Sequence, residues 1–188
     1  MAIQESERLD RSVRSPAQPE AALGGFITTG AAKFLAVFRV VLGFEFLWAF
    51  LDKTFGLGYA TPSARAWING GSPTKGFLSR VAVGPFESTF HSIAGAAWAD
   101  WLFMAGLLGI GLTMTVGFGI RLGAISGTVL YLFMWVASWP LANNPIIDDH
   151  LLGAVSMVVL ALTLAGDTWG AGKAWARTNL VQRFSILR

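Results

Sequence analysis

The chain has 188 residues, of which only 13% are charged and 54% are hydrophobic, with a net charge of +3 and a mean hydropathy of +0.56. Soluble domains carry about 25% charged residues, and the apolar residues here come in long blocks, so an integral membrane protein is expected. There is no cysteine, which excludes disulfides, thiolate nucleophiles, Cys-ligated clusters and dithiol relays within this chain, and the modest positive charge falls at helix ends and in tails, which argues against a nucleic-acid partner.

In chain order, residues 1–32 are polar, mixed in charge and contain Pro16 and Pro19. They predict a disordered cytoplasmic tail. They do not form a secretory signal, because the first apolar block starts late and no small-residue cleavage site follows it. The first span is predicted at residues 34–52, inside KFLAVFRVVLGFEFLWAFLDK. A long outer loop, residues 54–97, follows. Within it Thr61-Pro62 marks a short helix to about Ile68, broken by Asn69-Gly70-Gly71-Ser72-Pro73. Phe86, Phe90, Ile93, Ala94 and Ala97 then share one helical face. That face fits a surface-lying amphipathic helix or a buried loop helix equally well.

The second span is predicted at residues 98–118, uncharged from Trp101 to Ile120 and studded with Gly106, Gly109, Gly111 and Gly117 for close helix packing. A turn at Gly117-Phe118-Gly119 leads to the third span, residues 121–139. Trp139-Pro140 and Asn143-Asn144-Pro145 make the next turn, and the fourth span is predicted at residues 146–166, with Asp148, Asp149 and His150 in its first turn. Residues 33–172 thus form an all-α, four-transmembrane-helix bundle, followed by a basic cytoplasmic tail at 173–188. The distribution of Lys and Arg places both termini in the cytoplasm, although Lys53, Arg65, Lys75 and Arg80 in the outer loop oppose that bias.

Charge at membrane depth costs roughly 2.5–3.5 kcal/mol per residue on insertion scales, so Arg39 and Glu45 inside the first span stand out. Asp52 and Lys53 end that span at the depth where Asp148, Asp149 and His150 begin the fourth. Glu45 and Asp52 share a helix face with Trp48 between them, while Arg39 shares another with Gly43, Phe46 and Lys53. These groups would make a polar pocket between helices, able to bind a quinone head group or small anion and to pass protons. Against this stands a structural account: acids at a helix N-terminus suit its dipole, Asp52 and Lys53 serve as interfacial anchors, and Arg39 and Glu45 fix helix packing. His91 and His150 are the only histidines. Their spacing does not suggest haem, no metal site is expected, and GFGIRLG follows no strand and so is not a phosphate loop.

The stretches RVVLGFEFLWAFLDKTFG, WINGGSPTKGFLS, AGAAWADWLFMAGLLGIGLTMTVGFGIRLGA and NNPIIDDHLLGAVSMVVLALTLAGDTWGAG cover most of Arg39 to Gly172. They resemble the DoxX/DoxD family of small four-helix membrane proteins. The GGSPTKGFLS loop and the NPIIDDH segment bring the chain closer to the DoxD side, the large subunit of thiosulfate:quinone oxidoreductase. The resemblance implies a four-helix bundle and oxidation of a sulfur compound at the membrane, with electrons passed to quinone. The family's recurrent polar positions match Arg39, Asp52, Lys53, Arg121, Asp149 and His150 here.

Three functions follow as expectations. In the first, the chain is a quinone-reactive oxidoreductase subunit in a prokaryotic plasma membrane. Lys53 offsets the charge of an entering anion, Asp149, His150 and Asp52 handle protons, and Arg39, Glu45, Trp48 and Asp148 line the substrate and quinone site. In the second it is a non-catalytic accessory or assembly subunit of a larger respiratory complex, bound to other membrane subunits. In the third, its buried charges line a transport path.

Overall fold

The computed structural model describes residues 27–81 and 86–188. The disordered tail expected at the N-terminus therefore lies, up to residue 26, outside the described residues. Among those described, the secondary structure is entirely helical. Three helices are long and apolar enough to cross a membrane. The first, α1, is Thr29–Phe55, starting four residues before Lys33. Thr28 caps it, its hydroxyl accepting from the Ala31 N–H at 3.2 Å. Gly56 ends it in a left-handed conformation (φ 66°), its N–H donating to Asp52 O. At 27 residues the helix is about 40 Å long, more than the ~30 Å of hydrocarbon.

Among the described residues, the connection after α1 holds little regular structure. The short helix expected after Pro62 is two 3₁₀ turns, Ser63–Arg65 and Trp67–Asn69. Two short helices follow, α2 (Lys75–Leu78) and α3 (Glu87–Ile93). Phe90 of α3 is 3% exposed, its ring 5.0 Å from that of Phe133 and packed with Leu78, Val81 and Ala137. The helix thus lies against the bundle through Phe90, its one buried residue, with Ser88, Thr89, His91 and Ser92 exposed and Phe86 at its start exposed as well.

The next two long helices are α4, Ala97–Val116, and α5, Ile120–Ala137. Gly117 and Gly119, both at positive φ, turn the chain between them in three residues, a geometry glycine adopts without steric cost. The fourth apolar helix, α6, is Asp149–Leu162. It is shorter than the span expected at 146–166: Asp148 caps its start, and Leu164 at φ 48° ends it before a 3₁₀ turn at Ala165–Asp167. Its 14 residues cover about 21 Å. The chain closes with α7 (Gly172–Ala176) and α8 (Asn179–Arg183). The basic tail is therefore folded rather than extended.

The close helix pairs are α1 with α4, α4 with α5, and α5 with α6. One core joins them, with Leu42 and Phe46 from α1, Met104, Leu107, Ile110 and Met114 from α4, Tyr131 from α5, and Met157 and Leu160 from α6. Glycines set the spacing. A Cβ on Gly43 would lie 2.6 Å from the Thr115 amide nitrogen, and one on Gly153 would lie 2.6 Å from the Tyr131 ring. Both distances lie well inside van der Waals contact, so side chains at these positions would push the helices apart.

Gly43→Ala is expected to lower stability by about 1–3 kcal/mol, the usual cost of overpacking, whereas Gly106→Ala, whose Cβ meets nothing within 4 Å, leaves it unchanged or raises it. Thermal melts of the two variants in one detergent check this. Equal melting temperatures would refute the close α1–α4 approach.

Candidate functional site

Arg39 is wholly buried, and its partners are backbone carbonyls. Nη1 donates to Met114 O and to Thr115 O (2.9 Å), and Nη2 donates to Trp169 O at 3.1 Å. The last four carbonyls of a helix have no partner within it. In α4 all four are nonetheless satisfied. Thr113 O accepts from Gly117 N and Val116 O from Ala171 N (3.0 Å), while Arg39 takes Met114 and Thr115. A cation is also what the negative end of a helix dipole favours. Arg39 thus ties α1, the end of α4 and the chain after α6 into one joint. A Cβ on Gly117 would lie 2.8 Å from Nη1, so glycine there is what admits the guanidinium. The sequence placed Arg39 and Glu45 in one span, and the structure gives them separate partners.

Asp52, 2% exposed, is likewise turned to backbone. Its two oxygens accept from Tyr59 N (3.3 Å) and Ala60 N (3.1 Å), which folds the chain back after α1. Tyr59 in turn stacks edge-on against Trp48, with centroids 5.1 Å apart. Lys53, half-buried, interacts electrostatically with the adjacent Asp52. Asp100 does the same work at the start of α4. It is 6% exposed, and its Oδ1 accepts from Ser72 Oγ (2.9 Å), Thr74 N (3.0 Å) and Thr74 Oγ1 (2.6 Å). Asp100 was not anticipated from sequence. The polar turn Ser72-Pro73-Thr74, whose hydroxyls and Thr74 amide can all donate, was the signal for it.

A different group of residues meets toward the end where α1 finishes and α6 begins. Asp148 caps α6, Oδ1 accepting from Leu151 N at 3.0 Å, and its Oδ2 lies 2.7 Å from His150 Nδ1. A carboxylate only accepts, so Nδ1 carries the proton and Nε2 is left for another partner. Burial raises the Asp148 carboxyl, but the His150 and Leu151 hydrogen bonds outweigh it, and the net effect holds the group below its ordinary value. The His150 ring stands edge-on to Tyr131, with centroids 6.4 Å apart. The Tyr131 hydroxyl interacts with the carboxylate of Glu45, and the Tyr131 ring rests on Phe46 at 5.1 Å. Glu45 itself sits on the exposed side of α1, next to the exposed Phe44. Asp149 is exposed and is not the partner of His150.

Glu45, Tyr131, His150 and Asp148 thus form a line of titratable groups across α1, α5 and α6, from an apolar face to a helix end. Tyr131 was not anticipated from sequence, although it is one of only two tyrosines and lies in an otherwise apolar span. No family model, no curated protein and no solved structure matches the chain. Among the described residues, no group of three His, Cys, Asp or Glu could hold a metal ion. A hollow of about 360 Å³ at the loop end is walled by Phe77, Arg80, Val81 and residues 137–140, none of them in the Glu45–Asp148 line.

Two outcomes are expected. Arg39→Met leaves two α4 carbonyls and Trp169 O without their donor, at about 1–3 kcal/mol for each buried group; the yield of folded protein and its melting temperature should fall sharply, and Arg39→Lys should recover only part because one ammonium cannot replace the fork. A melting temperature equal to wild type would remove Arg39 from its capping role. For Asp148, a carboxyl with a depressed pKa adds stability that is present above its unfolded value, about 3.9, and is lost as pH falls through the lower folded value. Asp148→Asn keeps a good N-cap and should flatten that part of the acid limb, measured as melting temperature between pH 6 and pH 3; an unchanged limb would contradict the assignment.

Proposed function

We propose that the chain is a membrane oxidoreductase subunit of DoxX/DoxD type, which passes electrons from thiosulfate or another small sulfur compound to quinone. It would stand as a four-helix bundle in a prokaryotic plasma membrane, α6 completing the set and both termini cytoplasmic. The supporting observation is the line from Glu45 through Tyr131 to His150 and Asp148. Oxidising two thiosulfate ions to tetrathionate releases two electrons, and reducing one quinone to quinol consumes those electrons and two protons. Protons come from water, whereas a quinone lives among lipid tails. A titratable path from an aqueous helix end to an apolar face answers that mismatch.

The residues fit a quinone head group. Glu45 offers an acceptor and Tyr131 a hydroxyl beside it, while Phe44 and Trp48, with ring centroids 6.0 Å apart, supply aromatic surface on the same helix. When bound, the quinone supplies the two-electron chemistry that no side chain of this cysteine-free sequence provides. Glu45 would hold a proton at the apolar face, and His150, oriented by Asp148, would exchange protons with water. Lys53, near the outer end of α1, is the cation available to an approaching anion. Arg39 and Asp52 keep the scaffold in register.

A second reading, a non-catalytic accessory subunit of a larger respiratory complex, is favoured by a specific observation. Arg39 and Asp52, the two most buried charged groups, are occupied by the chain's own backbone. On this reading the exposed Glu45 meets another subunit.

Mild-detergent purification followed by a thiosulfate-to-quinone assay separates the two. If the chain is catalytic, Glu45→Gln lowers kcat by about 10²–10⁴, the range for loss of a general acid or base, while Glu87→Gln in the loop does not. Inactive wild-type protein recovered in fixed stoichiometry with redox subunits would establish the accessory role instead.

A further inference from the structure

Charge is divided unevenly between the two ends of the helices. Among the described residues, at the end where α1 begins and α6 finishes lie Lys33, Arg121, Lys173, Arg177, Arg183 and Arg188, with Asp167 as the acid. At the other end Lys53, Arg65, Lys75 and Arg80 face Asp52, Glu87, Asp100, Asp148 and Asp149. The basic end is also a built surface. Arg121 N donates to Arg188 O (2.9 Å) and Arg121 Nη1 to Ser185 O (2.9 Å). Trp175 Nε1 donates to Leu187 O (2.6 Å), and Arg188 pairs with Asp167 at 3.0 Å. These bonds hold α7, α8 and the last turn against the end of the bundle.

That pairing uses Asp167, the acid at this end among the described residues. Lys173 and Arg177 are left exposed, and Arg183 rests on the Phe184 ring, 5.6 Å from its centroid. Between these cations the same segment exposes Leu180, Phe184 and Ile186. Trp169 is 66% exposed at φ 50°, a conformation uncommon for a bulky residue. Arg39 holds its carbonyl, and the Lys33 ammonium lies 5.9 Å from its ring centroid. The backbone is thus fixed where it turns an indole outward beside a cation, the pairing that suits a membrane–water interface.

We propose that the segment from Trp169 to Ile186, with Lys33, is a docking surface for the headgroups of anionic phospholipids in the leaflet at this end of the helices. Lys173, Arg177 and Arg183 meet the phosphates, and Trp169, Leu180, Phe184 and Ile186 enter the headgroup–acyl boundary. Charge complementarity and continuity with the apolar helices select lipid as the occupant. The inference rests on the membrane placement above and is independent of the redox chemistry.

The test uses the full chain in nanodiscs of phosphatidylcholine, alone or with one third phosphatidylglycerol, reading by native mass spectrometry which lipid stays bound on release. Wild type should retain phosphatidylglycerol preferentially. The triple variant Lys173→Gln, Arg177→Gln, Arg183→Gln should lose roughly fivefold of that preference per neutralised cation, whereas Arg65→Gln, Lys75→Gln, Arg80→Gln at the opposite end keeps it. Should the first triple variant misfold, wild type alone decides, because the preference must collapse when the discs are incubated in 1 M salt, where the Debye length is about 3 Å. Equal retention of the two lipids by wild type, a preference indifferent to salt, or its loss only in the opposite-end variant overturns the proposal. Failure to enter either disc would instead count against the membrane placement.

Discussion

A guanidinium placed within a membrane-spanning helix costs several kcal/mol unless something in the protein replaces its water. Arg39 meets that cost with three carbonyl partners, two of them at the end of α4 where the helix leaves its last carbonyls unpaired. The exchange is mutual, since α4 would otherwise carry orphan acceptors into the same apolar setting. Much of the structure follows from this contact. It fixes the height of α1 against α4 and requires glycine at Gly117, where a side chain would strike the guanidinium. It also anchors Trp169, and with it the return of the chain after α6. Glu45, six residues further along α1, is thereby held at a set depth beside Tyr131.

Polar groups within the bundle divide by what they touch. Arg39 and Asp52 bind backbone, and Asp100 binds the Thr74 amide and two hydroxyls, each at a place where a helix starts, stops or is followed by a turn. Such contacts are directional and satisfied within the chain, which makes them joints. Tyr131 interacts with the Glu45 carboxylate and stands edge-on to the His150 ring, and the three residues are spread over three helices. Contacts of this kind join helices without closing a helix end. Asp148 belongs to both classes, capping α6 with one oxygen and holding His150 with the other.

Much of the helical architecture was legible in the sequence, because uninterrupted apolar length is a strong local signal. The α4 and α5 helices lie where the uncharged blocks predicted, and Asp148 stands at the start of α6 as its polar run implied. The fourth helix was read too long. Hydropathy continues to Gly166, but the backbone turns left-handed at Leu164, which no apolarity scale registers. The site was legible in part. Charge at membrane depth singled out Arg39 and Glu45 but could not say that one faces carbonyls and the other a tyrosine, since partners come from helices distant in sequence. Tyr131 and Asp100 escaped because a lone hydroxyl in an apolar run, or an acid at a helix start, has an ordinary explanation until the opposing residues are known.

The same contact that buries Arg39 also bears on the basic end of the molecule. Trp169 holds a backbone conformation uncommon for a bulky residue, φ 50°, and its carbonyl accepts from Arg39 at 3.1 Å. Holding the carbonyl with Arg39 Nη2 couples the depth of α1 to the orientation of an interfacial side chain. Lys33, six residues before Arg39 and beside the Trp169 ring, closes that coupling on the opposite side. A shift of α1 along its axis would therefore disturb the basic surface and the Glu45–Tyr131 contact together. One buried cation thus joins α1, the end of α4 and the chain after α6.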